Sequence, residues 1–265
     1  MSSELLQVAR RIALEAGELA AERRRAGVEV AATKSSIVDV VTQADRDVEQ
    51  LIRDRIAEHR PDDAILGEEG GSTGGTSGVT WVVDPIDGTV NYLYGIPHYG
   101  ISIAVVEGEP DPLTWTALAG VVLNPADGEL FTASRGGGAF LGDRPIRVAD
   151  AVPLAQALVA TGFSYDAATR GHQGEVVARL LPRVRDIRRN GTASLDLAFV
   201  ANGRLNAYFE RLLNPWDFGA GALIAEEAGA VIRGLDGAPP SSDFLITGHP
   251  DVVGPLEELL LELGV

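Results

Sequence analysis

The chain of 265 residues contains no cysteine, which excludes disulfides and thiolate metal sites. Histidine is scarce: His59, His98, His172 and His249 stand far apart, with no pair at the spacing a helix uses to present two metal ligands. A nitrogen- or sulfur-based zinc site is therefore disfavoured, and oxygen ligands are favoured. No apolar run approaches the roughly 20 residues that span a bilayer. The N-terminal stretch carries Glu4, Arg10, Arg11 and Glu15, so it lacks the uninterrupted apolar core of a signal peptide. The expectation is a soluble, cytoplasmic protein without a membrane partner. Positive charge is also in deficit, with 22 basic against 38 acidic residues and a formal net charge of -16. Such a field opposes direct nucleic-acid binding. It also repels anionic substrates unless a bound cation reverses the local sign.

A hydrophobic content of 45% supports one large domain or two intimate halves. Apolar residues at helical spacing predict a helix over residues 4–25, ending in an arginine cluster that suits a helix C-terminus. A second helix is expected over residues 42–58, and residues 70–78 read as a flexible glycine-rich loop. Successive strands are expected over residues 99–148. Beyond them, strands (158–161, 205–210, 230–233, 244–247) alternate with helices (172–181, 192–202, 217–228, 252–263). By pattern this is a mixed, layered α/β protein.

The most informative stretch is Asp84-Pro85-Ile86-Asp87-Gly88-Thr89, which follows the apolar run Thr80-Trp81-Val82-Val83. A buried strand thus delivers two carboxylates, three residues apart, into a turn stiffened by Pro85 and freed by Gly88. Acids so close repel each other unless a proton or cation lies between them, and a hard divalent ion such as Mg2+ prefers oxygen ligands. Further acids sit at element ends: Glu68 after Ile65-Leu66, Asp217 at the start of a Gly/Ala-rich helix, and Asp45 in a capping-box pattern with Thr42. Taken singly, each has a purely structural explanation.

Together, in order, they resemble the inositol monophosphatase family of metal-dependent, lithium-sensitive phosphatases. The matching segments are Asp84 to Asn91, Trp216 to Gly229, Gly67-Glu68-Glu69, and residues 34–45, and the likeness runs from about residue 5 to 260. It implies a single family domain over residues 1–265, with an N-terminal α+β half (about 1–150) and a C-terminal α/β half (about 151–265). The implied architecture is a sandwich of alternating helix and sheet layers of the sugar-phosphatase type. The implied cofactor is Mg2+, two to three ions per site. Glu68, Asp84 and the Ile86 carbonyl would hold the first, and Asp84, Asp87 and Asp217 the second. A third, weaker ion would lean on Glu68.

The resemblance further implies that Thr89 orients the attacking water and is backed by Asp45. The Gly88 and Thr89 backbone would meet the phosphate. Gly191, Thr192, Ala193 and Glu210 would contact the substrate body, and Lys34 to Ser36 would belong to a loop near the metals. The implied substrate is a small phosphorylated polyol or sugar, inositol 1-phosphate being favoured, and the implied assembly is a homodimer. Histidinol-phosphate, fructose-1,6-bisphosphate and 3'-phosphoadenosine-5'-phosphate phosphatases are the alternatives. A regulatory, protein-binding relative is the alternative of another class. Departures from the family pattern fall at Val90-Asn91-Tyr92, at Ala228-Gly229-Ala230 and in residues 211–215, the last on the expected substrate side. Arg188 and Arg189 are candidates for clamping a second anionic group. His98 reads as a satisfied packing histidine, and Trp81, Trp115 and Trp216 as core anchors.

Overall fold

A computed structural model describes residues 2–28, 30–33 and 40–265. The first half runs α1 (Ser2–Ala26), β1 (Val30–Thr33), β2 (Val40–Thr42), α2 (Gln43–His59), β3 (Ala64–Gly67), β4 (Gly71–Thr73), β5 (Val79–Asp87), α3 (Thr89–Tyr94), β6 (Gly100–Glu107), β7 (Thr116–Asn124), β8 (Glu129–Ser134), β9 (Gly138–Leu141) and β10 (Arg144–Pro145). The second runs β11 (Leu158–Thr161), α4 (Ala167–Leu180), β12 (Asp186–Arg188), α5 (Ala193–Ala201), β13 (Ala207–Glu210), α6 (Pro215–Glu227), β14 (Val231–Arg233), β15 (Leu245–Gly248) and α7 (Pro250–Leu263).

These elements stack as alternating layers. An eight-stranded sheet has the order β10-β9-β8-β7-β6-β5-β3-β4, and a five-stranded sheet the order β12-β11-β13-β15-β14. The apolar stripe of α1 (Leu5, Ile12, Ala16) and that of α2 (Val48, Ile52, Ile56) pack on one face of the large sheet, against Trp81, Ile101 and Val121. Its other face meets α5 and α6, which also cover the small sheet through Leu197, Leu223, Tyr208 and Leu245. Helices α4 and α7 close the far side over Val159, Phe209 and Ile246. Because α5 and α6 are buried against a sheet on both sides, their apolar residues run around most of the helix (Leu195, Leu197, Ala198, Val200, Ala201) rather than along one stripe.

Several expectations are corrected. Residues 70–78 are not wholly a loop, because Gly71–Thr73 pairs with β3 as an exposed edge strand. Backbone pairing there needs no apolar side chains, so composition concealed it. The helix expected over residues 172–181 begins at Ala167, capped by the Asp166 side chain on the Thr169 N–H at 2.8 Å. The short elements α3 and β12 were not anticipated. The proposed Lys34 to Ser36 loop lies outside the described residues. Among the described residues, no helix is long and apolar enough to cross a membrane.

Candidate active site

The DPIDGT stretch is built differently from the turn expected of it. Strand β5 continues through Asp87, and its register against β6 slips: Asp84 faces Ser102, yet Asp87 faces Gly100. Three steps on β5 thus match two on β6, which makes a β-bulge at Pro85-Ile86. In a regular strand, residues three apart point to opposite faces. The extra residue cancels that alternation and returns Asp87 to the face of Asp84. Pro85 suits the bulge because it has no N–H to leave unpaired.

Glu68 comes from just beyond the end of the next strand. Strand β3 runs parallel to β5 with Gly67 beside Val83, and the Glu68 N–H donates to the Val83 carbonyl at 3.3 Å. Glu68 is thereby brought next to Asp84, carboxyl facing carboxyl within hydrogen-bonding range. Asp217 arrives from the first turn of α6, whose start is tied to β6 by the Ser102 hydroxyl donating to the Trp216 carbonyl at 3.1 Å.

Backbone N–H groups aim the three aspartates. Ile86 donates to Asp84 Oδ1 at 3.1 Å, Ser194 to Asp87 Oδ2 at 2.7 Å, and Asn214 to Asp217 Oδ2 at 2.6 Å. The Ser194 hydroxyl adds a second bond to Asp87 at 2.6 Å, so Asp87 also caps the N-terminus of α5.

Glu68, Asp84, Asp87 and Asp217 line one cavity of about 450 Å³ together with Ile86, Gly88, Thr89, Gly191, Thr192, Ala193 and Glu210. Burial, then Glu68, Asp87 and Asp217, pushes Asp84 well above the usual carboxylate range. Asp217 is pushed the same way by burial, then by Glu68 and Asp87. Burial lifts Asp87 to about 6 against the Ser194 hydrogen bonds. Among the described residues, no three acidic or histidine side chains are grouped closely enough to hold a metal ion as they stand. The four acids share a wall instead, as mutually repelling groups do. The donor set is oxygen only, which fits a hard divalent ion, and facing carboxyls such as Glu68 and Asp84 call for a proton or a cation between them.

Asp45 is not on the cavity wall. It is fully buried behind Thr89, whose hydroxyl lies 3.0 Å from Asp45 Oδ1 and 3.1 Å from the Ile86 carbonyl. The other Asp45 oxygen takes the Thr42 N–H at 2.8 Å and the Thr42 hydroxyl, so the capping box is real and Asp45 serves both ends. Burial lifts Asp45 to about 6, against the Thr42 hydrogen bonds. Gly88 caps α3 in a left-handed conformation (φ 91°). A side chain there would start 2.6 Å from Thr192 Oγ1. Glu210, which also lines the cavity, accepts from the Tyr208 hydroxyl at 2.5 Å, and burial lifts it to about 7.

The two arginines separate: Arg189 lines the cavity and lies over the Phe163 ring at 5.9 Å, whereas Arg188 pairs with Asp186 at 2.6 Å and is not on the cavity wall. His98 packs on Phe199 as expected, but its buried Nε2 has no hydrogen-bond partner among the described residues, so it is not the satisfied histidine expected. Trp81 is a buried anchor whose indole donates to Asp63 at 2.9 Å; Trp115 and Trp216 are only partly buried, and Trp216 lines the cavity. Sequence reading missed Ser194, Asp196 and the role of Asn91. Asn91 Nδ2 donates to the His98 and Asn190 carbonyls at 2.8 Å each, tying α3 to the Gly191 loop. Asp196 lines the cavity and accepts from Asn190 at 2.6 Å. Its one sequence signal was an acid inside an otherwise apolar helix.

The model of the inositol monophosphatase family matches residues 1–260. The chain belongs to the inositol monophosphatase family. By family it is a phosphatase. The "Inositol-1-monophosphatase SuhB" of Mycobacterium tuberculosis is 47% identical over 206 residues, covering 74% of this chain and 69% of that protein. The "Nus factor SuhB" of Escherichia coli is 38% identical over 248 residues, covering 92% and 89%. Among solved structures, the extragenic suppressor protein suhB from Bartonella henselae superposes with a TM-score of 0.89 at 34% identity, covering 99% of this chain and all of that one. The layered helix-and-sheet architecture is therefore that of inositol monophosphatase-fold proteins.

Proposed function

We propose that this inositol monophosphatase family member hydrolyses a small polyol- or sugar-phosphate monoester with Mg2+, inositol 1-phosphate being the favoured substrate. One observation carries the reading. Four carboxylates from three separate segments line a single cavity with Thr89 and Glu210. A divalent ion bound there would neutralise the ester's charge and make water a usable nucleophile near neutral pH. Glu68, Asp84, the Ile86 carbonyl, Asp87 and Asp217 would hold two to three such ions.

The remaining roles belong to the chain itself. By donating to Asp45, the Thr89 hydroxyl keeps its oxygen available to accept a hydrogen from the attacking water. The first N–H groups of α3, at Gly88 and Thr89, lack helical partners and would meet the phosphate oxygens. Glu210, oriented by Tyr208, would accept hydroxyl hydrogens of a polyol. Hydrolysis forms a bond from water oxygen to phosphorus and breaks the ester P–O bond, releasing alcohol and inorganic phosphate. A panel of phosphate esters at fixed Mg2+ tests the assignment. Inositol 1-phosphate should head it, and preferred turnover of histidinol phosphate would overturn the substrate.

A second reading rests on the E. coli relative, which is named a Nus factor. A regulatory protein-binding role would suit a basic partner, given the net charge of -16. Mg2+-dependent turnover with no capture of basic partners favours the enzyme alone.

A further inference from the structure

Of the four clustered acids, Glu68 has the least regular support. Asp84 and Asp87 sit within a sheet and Asp217 within a helix, whereas Glu68 opens the three-residue turn Glu68-Glu69-Gly70 between β3 and the short edge strand β4. What holds that turn is a pair of charged side chains on α2. Glu49 is 2% exposed. Its Oε2 accepts the Glu69 N–H at 2.8 Å and its Oε1 the Gly70 N–H at 2.8 Å. Arg53 donates from Nε to Glu49 Oε1 at 2.7 Å and from Nη2 to the Gly71 carbonyl at 2.6 Å. Three backbone groups just after Glu68 are therefore fixed by one buried ion pair.

The same clamp explains the glycines on either side of Glu68-Glu69. A Cβ on Gly67 would lie 2.5 Å from Glu49 Oε1, and one on Gly70 would lie 2.7 Å from it. The clamp occupies the space a side chain would need. Asp45, Glu49 and Arg53 recur every four residues, hence on one face of α2. That face touches Thr89 at one end and the Glu68 turn at the other.

We infer that Glu49 and Arg53 are positioning residues, which hold the Glu68 turn against the carboxylate wall and so set the metal affinity of the site. The inference rests on the proposed role of Glu68 as a metal ligand. Burying an ion pair is a poor source of stability in itself, but removing one partner leaves the other uncompensated. A precise position for Glu68 is a physical reason for the pair to be there.

The test uses Mn2+ as the probe, its binding to the full chain followed by electron paramagnetic resonance or calorimetry. Glu49→Gln keeps the size but puts an amide N–H against one of the two backbone donors. Gly70→Ala disturbs the clamp from the opposite side, at an exposed position whose backbone an alanine can adopt. Each should weaken Mn2+ binding about 10- to 100-fold, the range for losing a group that orients a ligand. Each should raise the Mg2+ concentration for half-maximal turnover in parallel and largely retain kcat at saturating Mg2+. The double variant should be no worse than the weaker single, since both break one contact. Arg53→Met supplies the same readout should Glu49→Gln fail to fold. Folded variants that bind Mn2+ as tightly as the wild type, with only a lowered Tm, overturn the inference. A wild-type protein that binds no Mn2+ overturns the metal reading itself, and this inference with it.

Discussion

Asp87 does two jobs: it faces the carboxylate cluster and accepts two bonds from Ser194. Asp87→Asn retains an acceptor for Ser194 but loses the negative charge. Turnover should fall by at least about a hundredfold, beyond what loss of a mere orienting group costs, with an unchanged circular dichroism spectrum; a misfolded product would make Asp87 structural instead. Asp196 makes a different prediction. Burial holds its proton up to about 8 from an ordinary value of 3.8, with Glu210 and Asp87 adding to the rise and Asn190 and Arg189 opposing it. The folded state therefore keeps a proton that the unfolded chain has released. The stability this gives is complete below about pH 4 and is lost as pH rises through about 8. Asp196→Asn stays neutral throughout, so its Tm should exceed that of the wild type near pH 8 and converge with it in acid. The arginines make the third: Arg189→Ala should change the preference between mono- and bisphosphate substrates, and Arg188→Ala should not. Equal effects, or none from either, would remove the clamp.

At the scale of elements, the bulge in β5 and the left-handed Gly88 that follows it decide what the DPIDGT stretch presents. Gly88→Ala forces a side chain into a conformation L-residues resist, and against Thr192 Oγ1. The expected cost is about 1–3 kcal/mol. A chemical denaturation midpoint would register it, along with a loss of turnover as the start of α3 shifts. The long amphipathic helices and the apolar strands were legible in the sequence because burial on one side imposes a period. The edge strand β4, the six-residue α3 and the true start of α4 were not, since hydrogen bonding and side-chain capping there carry no apolar pattern.

Across the whole molecule, the large sheet and the helices on its two faces bring together residues 45, 68, 87, 194 and 217. A cation bound to that cluster would relieve repulsion that exists only when the chain is folded. Mg2+ at about a hundred times its Kd should stabilise by about 2.7 kcal/mol, raising Tm by roughly 5–10 °C. A melting curve indifferent to millimolar Mg2+ would count against the site. The net charge of -16 makes the same point from outside, because an anionic ester approaches this surface more readily once the wall is neutralised.

The amino-acid order alone determined which residue types are available, with oxygen ligands and no thiols, and which long, apolar-patterned segments are helical or extended. It also carried the ordered motifs that place the chain in its family. Only the tertiary structure decided that a register slip puts Asp84 and Asp87 on one face, that Arg189 rather than Arg188 reaches the cavity, and that α2 grips the Glu68 turn. The physical reason is that periodicity and propensity are local, whereas register slips, cross-element hydrogen bonds and cavity walls arise between segments distant in the chain.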